Sequence, residues 1–137
     1  MKRMTPTLCI IASLALAGCA AQERKGNDGR RSDVPAAKVV GEAVNCVPLA
    51  TIRESVVRDD WTIDFRTGAN RWYRNTLPRR CNGLGFERAF SYATSQTQLC
   101  NVDIITVIVT NGGPINRGSC GLGSFTPIEL APTKTAK

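Results

Sequence analysis

Asp60-Trp61-Thr62-Ile63-Asp64-Phe65-Arg66 alternates apolar and polar residues at every step, and this period of two decides the fold class. Trp61, Ile63 and Phe65 share one face of a strand while Thr62, Asp64 and Arg66 share the other, which predicts a half-buried strand with a wet polar side. Thr67-Gly68-Ala69-Asn70 then has the composition of a turn. Arg71 to Leu77 supplies the β-favouring Trp72, Tyr73 and Thr76, so a hairpin is the natural connection.

Outward from this hairpin the signals remain those of short strands. Phe86, Phe90 and Tyr92 alternate with Glu87, Ala89 and Ser91. Val102 to Thr110 is a nearly continuous β-branched run ending at Gly112-Gly113-Pro114, which predicts a strand buried on both faces at the centre of the sheet. Thr51 to Arg58 reads with Ile52 and Val56 inward, or as a short helix begun near Pro48, and a last strand falls near Leu122 to Ile128. The glycines at Gly112-Gly113 and from Gly118 to Gly123 suit turns and bulges. No Gly-Lys-Ser/Thr follows them, so they make no phosphate loop. The expectation is an all-β domain, with or without one short helix, built as a small disulfide-stapled sandwich or partly open barrel of about five to six strands.

The first residues carry a different signal. Lys2 and Arg3 precede the apolar run Leu8 to Ala17, and Gly18-Cys19 follows. This is the order of a signal peptide, too short for a permanent membrane span. Leu16-Ala17-Gly18-Cys19 resembles the lipobox of bacterial lipoproteins, which implies acylation of Cys19 and a stable lipid anchor. An ordinary secretory signal would leave Cys19 as an unexplained thiol. Ala20, where lipoproteins retained in the inner membrane commonly carry Asp, favours the outer membrane and a domain facing the periplasm. The expected organisation is a signal peptide over 1–18, a lipidated Cys19 and flexible tether over 19–42, a β domain over 43–130 and a disordered tail over 131–137. A tether of about 22 residues reaches roughly 70 Å at full extension, enough to stand the domain away from the membrane.

Six cysteines are present; Cys9 leaves with the signal and Cys19 is assigned to lipid. Cys46, Cys81, Cys100 and Cys120 remain, an even number suited to a disulfide framework in an oxidising compartment. Four cysteines allow three pairings. Strand order favours Cys81 with Cys100, closing one excursion, and Cys46 with Cys120, tying the domain ends. No Cys-x-x-Cys occurs, so zinc binding and thiol redox chemistry are disfavoured.

The chain has no histidine, which removes the commonest general base, the Ser-His and Cys-His arrangements and imidazole metal sites. Asp60 with Asp64, or Glu54 with Asp59, offers neighbouring carboxylates, but charges on the wet face of a strand explain them without catalysis. The sequence implies no catalytic residue, no metal and no cofactor. Its formal charge of +7 becomes +5 once Lys2 and Arg3 leave with the signal, an ordinary solubility charge that also suits anionic lipid or glycan surfaces.

Arg71-Trp72-Tyr73-Arg74, with Arg79, Arg80 and Arg88, is the best candidate surface, since guanidinium groups bind phosphate bidentately and aromatic rings stack on sugars or headgroups. The plainer reading has Trp72 or Tyr73 in the core and the arginines coating an exposed face. An exported address disfavours nucleic acid, leaving an envelope protein, glycan or lipid as the expected partner beside the membrane reached through the anchor.

Asp60 to Phe65, Tyr73-Arg74-Asn75-Thr76-Leu77-Pro78-Arg79-Arg80-Cys81-Asn82-Gly83-Leu84, Phe90 to Ser95, Leu99-Cys100-Asn101-Val102-Asp103 and Cys120 to Phe125 together carry a resemblance. They resemble a family of small proteobacterial lipoproteins classed as a domain of unknown function, over almost the whole domain. Asn82 stands where the Cys-Pro-Gly-Leu form has Pro, keeping a turn former before Gly83. The resemblance implies export and a shared cysteine pattern and brings no activity. The expected role is a non-enzymatic structural or binding module of the envelope. The alternatives are a binder of an anionic envelope ligand through the Arg71 to Arg80 surface and, more remotely, a thiol oxidoreductase or hydrolase.

Overall fold

The computed structural model describes residues 28–112 and 116–132; the signal peptide, Cys19, the first part of the tether and residues 133–137 lie outside the described residues. Ten strands are found among them: β1 (Ala37–Val39), β2 (Cys46–Pro48), β3 (Glu54–Val57), β4 (Thr62–Arg66), β5 (Trp72–Thr76), β6 (Phe90–Tyr92), β7 (Gln98–Cys100), β8 (Ile104–Ile108), β9 (Asn116–Gly121) and β10 (Phe125–Leu130). They form a five-stranded sheet in the order β1-β10-β5-β4-β3, a three-stranded sheet β6-β8-β9 and a two-stranded ribbon β2-β7. The domain is all-β, as the alternation predicts. Its strands are shorter and more numerous than the expected five to six, because β2, β7 and β9 are built from polar, Gly- and Cys-containing stretches with no alternating signal of their own.

The β4-β5 hairpin forms where Thr67-Gly68-Ala69-Asn70 predicts it, with Arg66 opposite Trp72 and the Thr67 N–H donating to the Arg71 carbonyl. Alternation places Ile63, Phe65, Tyr73 and Asn75 on its inner face. Across β10, Phe125 lies opposite Asn75 and continues that face. The three-stranded sheet presents Ile105 and Val107 to the same core, which Val47, Val57, Leu77, Leu84, Leu99 and Leu122 complete. The Phe65 ring meets Phe125 and Phe90 edge-on, with centroids 5.5 and 6.4 Å away. Full burial of a large apolar side chain contributes about 1.5–3 kcal/mol, so this contiguous cluster is the main source of stability.

Two expectations about burial exchange places. β8 sits at the centre of its own small sheet but alternates, with Ile105 and Val107 buried and Ile104 57% exposed, so it is covered on one face only. The strand buried on both faces is β4, whose Thr62 and Asp64 are closed off from solvent. The cover is the segment of residues 28–36, read from sequence as tether. Its Pro35 carbonyl accepts from Arg74 Nη2 at 3.0 Å on the outer face of the hairpin, and its Asp28 carbonyl accepts from Trp61 Nε1 at 2.6 Å beside the turn before β4. β1 follows and pairs with β10, Lys38 opposite Glu129. The folded domain therefore begins well before residue 43.

Other corrections are local. Val57, not Val56, is the buried residue of β3, and the short helix near Pro48 is a single 3-10 turn over Leu49–Thr51. Phe86 does not continue the alternation of Phe90 and Tyr92. It lies on α1 (Leu84–Glu87), a one-turn helix entered through Gly83 in the left-handed conformation, and is 75% exposed. Glu87 on the same turn points inward, its Oε2 accepting from the N–H and hydroxyl of Thr110 at 3.0 Å each.

The disulfides differ from the expected pairing. Cys46 bonds Cys100 and Cys81 bonds Cys120, rather than Cys81 with Cys100 and Cys46 with Cys120. Cys46 and Cys100 stand directly opposite each other on β2 and β7, a pairing invisible while neither strand is recognised. Cys120 on β9 bonds the buried Cys81 in the connection between β5 and α1, tying the small sheet to the segment that follows the hairpin.

Candidate functional site

The outer face of the hairpin and the turn preceding it concentrate the charged chemistry of the chain. On the face, cross-strand register sets Asp64 opposite Arg74 and Arg66 opposite Trp72. Asp64 is wholly buried and carries two guanidinium partners: Arg74 donates Nε–H to Oδ1 at 2.8 Å and Nη2–H to Oδ2 at 2.9 Å, and Arg58 donates Nε–H to Oδ2 at 2.7 Å. Arg58 and Arg66 flank the Trp72 ring at 5.9 and 6.0 Å, and Arg66 reaches Glu54 at 2.9 Å. Among the described residues no buried side-chain nitrogen or oxygen lacks a partner, so this charged cluster is internally satisfied.

The turn between β3 and β4 is a second hub. Asp59 accepts from the Trp61 N–H through Oδ1 at 2.8 Å and from the Arg31 N–H through Oδ2 at 3.2 Å. Asp60 accepts from the Gly85 N–H at 2.9 Å and from Arg80 Nε at 2.9 Å, while its carbonyl takes the Cys81 N–H. Gly85 packs against this turn so closely that a Cβ there meets the Asp59 backbone at 3.0 Å. One short acidic turn thus gathers the 28–33 segment, the Arg79-Arg80 corner and α1 into one place. Between them lies an open cleft of about 260 Å³ lined by Gly29, Arg30, Arg31, Asp60, Arg80, Gly83, Gly85 and Phe86. Arg30 stacks over Trp61 at 4.5 Å and pairs with Asp28; Arg31 pairs with Asp33.

The hydrogen bonds from Arg31 hold the Asp33 carboxyl below its ordinary range, outweighing a small loss of hydration, and the same contact raises Arg31. Both groups are exposed. The pair orders the outer end of the segment rather than anchoring it.

Of the predicted surface residues, Arg71, Trp72, Tyr73 and Arg74 do not form one site with Arg79 and Arg80. Arg74 is committed to Asp64, Tyr73 packs on the core and Trp72 is half-buried between two arginines. A smaller hollow of about 130 Å³ beside Arg71, Trp72 and Tyr73 is closed at its rim by Pro127, Ile128 and Glu129. Arg80, with Arg79 its exposed neighbour in the chain, lines the other cleft together with Arg30 and Arg31 of the stretch expected to be tether. Nothing in the period or spacing of Asp28 to Asp33 marks them, because the segment is held by its backbone and not by an apolar face. The carboxylate pairs weighed as acid-base candidates are also placed: Asp59, Asp60 and Asp64 are buried hydrogen-bond acceptors, not wet-face charges.

These features define a class, a small two-disulfide β protein whose buried carboxylates organise arginines around a shallow cleft. The chain belongs to a family of unknown function (DUF6491), whose profile matches residues 1–137. No curated protein and no solved structure matches it.

Proposed function

We propose that this protein is a non-enzymatic lipoprotein of the cell envelope, anchored at Cys19 in the outer membrane and facing the periplasm, where its β domain serves as a binding module. The observation that carries the reading is the pair of disulfides, Cys46 with Cys100 and Cys81 with Cys120, a framework suited to an oxidising compartment. Cys19 behind Leu16-Ala17-Gly18 supplies the acylation signal, and Ala20 favours outer-membrane sorting. With no histidine in the chain and its buried carboxylates engaged as structural acceptors, a binding role fits the described site better than acid-base chemistry.

A second reading, an anionic envelope ligand, is favoured by one feature. The open cleft is lined by Arg30, Arg31 and Arg80, with the hydrogen-bonded Asp60 as the carboxylate in its lining and Arg30 and Arg31 held only by the exposed Asp28 and Asp33. This reading centres the candidate surface on Arg80 with Arg30 and Arg31, in place of Arg71 and Arg74.

The test is the intact mass of the protein extracted from envelopes, with thiols alkylated before and after reduction. An acylated Cys19 and four thiols that react only after reduction are expected. An unmodified Cys19, or thiols that react without reduction, overturns the anchor or the framework respectively.

A further inference from the structure

The first described residues, from which the chain runs back towards Cys19, lie at the cleft. The Asp28 carbonyl is held by Trp61 Nε1, and the Gly29 carbonyl accepts from the Asp60 N–H at 3.1 Å. Only nine residue steps separate Asp28 from Cys19, a span of about 30 Å at full extension. A domain of this size has a radius of gyration of about 13 Å, so so short a connection favours orientations in which the cleft surface faces the membrane. That surface carries exposed Arg30, Arg31 and Arg80, with exposed Arg79 next to Arg80 in the chain and Arg88 near enough to act on Asp33, against two exposed carboxylates, Asp28 and Asp33, with Asp60 buried beneath. Phe86, 75% exposed on α1, projects an aromatic ring from the rim of the same cleft.

We propose that this face, Arg30, Arg31, Arg79, Arg80 and Phe86, docks on the anionic phospholipid surface of the membrane that holds Cys19. The arginines meet lipid phosphates, for which guanidinium forks are suited, and the Phe86 ring enters the boundary between headgroups and acyl chains. The exposed pairs Arg30 with Asp28 and Arg31 with Asp33 are weak enough to yield to phosphate. The proposal rests on the lipoprotein reading for its geometry, and its test is read independently of acylation.

The protein extracted from envelopes, its mass at Cys19 recorded first, is reconstituted into vesicles containing brominated phosphatidylcholine with or without phosphatidylglycerol. Phe86→Trp places an indole on the docking face, and its emission is compared with that of the native chain. Quenching by the brominated lipid is expected in anionic vesicles and is lost in neutral ones or at high salt. Arg30→Gln, Arg31→Gln and Arg79→Gln, which spare the Arg80 contact to Asp60, each lower the docked-to-undocked ratio about five-fold. Equal quenching in neutral and anionic vesicles, or quenching indifferent to the three arginines in variants that keep both disulfides, overturns docking while leaving an acylated Cys19 intact. Quenching that follows the arginines with Cys19 unmodified keeps the docking face and removes the anchor.

Discussion

Arg74 closes a two-point hydrogen bond on the wholly buried carboxylate of Asp64, its Nε and Nη2 at 2.8 and 2.9 Å, beneath a segment that the sequence pattern leaves outside the fold. Two guanidiniums and one carboxylate share that site, so its parts are unequal. Asp64→Ala leaves Arg58 and Arg74 without their counter-charge and is expected to cost about 3–5 kcal/mol in urea denaturation. Arg58→Ala removes one hydrogen bond to Asp64 and the flank on Trp72, whereas Arg74→Ala removes two hydrogen bonds to Asp64 together with the tie to Pro35, so the latter loss is the larger. Equal midpoints for Asp64→Ala and the native protein contradict the buried cluster.

The disulfides make a chemical prediction before an energetic one. Peptide mapping without reduction is expected to recover Cys46 linked to Cys100 and Cys81 linked to Cys120, and a Cys81 to Cys100 peptide refutes this topology. The sequence separations are 54 and 39 residues, for which loop-closure entropy gives about 4 kcal/mol for each crosslink. Paired Cys→Ala replacement of either bridge is therefore expected to lower the unfolding midpoint strongly, and to a similar degree.

Gly123 and Gly121 lie close in sequence and separate sharply in structure. The Asn75 amide clamps the Gly123 backbone, donating to its carbonyl at 2.6 Å and accepting its N–H at 2.8 Å, and a Cβ on Gly123 collides with the Thr76 carbonyl oxygen. At Gly121 a Cβ meets nothing within 4 Å. Gly123→Ala is expected to destabilise by more than about 2 kcal/mol, whereas Gly121→Ala changes stability by less than about 0.5 kcal/mol. Thermal unfolding of the two variants reads the contrast, and similar shifts remove the clamp.

The Arg31 to Asp33 contact sets the sign of one pH effect. The Asp33 carboxyl is held below its ordinary range in the folded state, chiefly by hydrogen bonds from Arg31. Its small contribution is therefore fully present above the unfolded pKa and is lost as pH falls through the lower folded one. A carboxyl-resolved NMR titration is expected to place Asp33 below ordinary aspartate and to return it upward in Arg31→Ala. An unchanged midpoint in that variant dissolves the pair.

Much of the fold was legible because β4 and β5 carry alternation and turn chemistry in their own residues. The hairpin, the all-β class and the disulfide-stapled character follow from Trp61 to Phe65, Thr67 to Asn70 and the even set of four cysteines. The candidate site was half legible. Arg79-Arg80 and Arg30-Arg31 are both arginine pairs, but the second stands in a stretch without apolar period, and its place in the fold depends on the contacts of residues 28–31 with the Asp59 to Trp61 turn.

The sequence by itself determined the strand period of the hairpin, the turn that closes it and the chemistry that the absence of histidine removes, because each is a local property of neighbouring residues. Tertiary structure alone decided which cysteines meet, why Asp64 is buried instead of wet, and where residues 28–36 lie. Those depend on pairings between residues far apart: β2 with β7, residues 28–36 over β4 and β5, and Cys120 on Cys81. A polar residue at an outward position reads as solvated until another part of the chain is known to cover it. Here that cover is held by hydrogen bonds to its backbone, which leave no mark in the pattern of side chains.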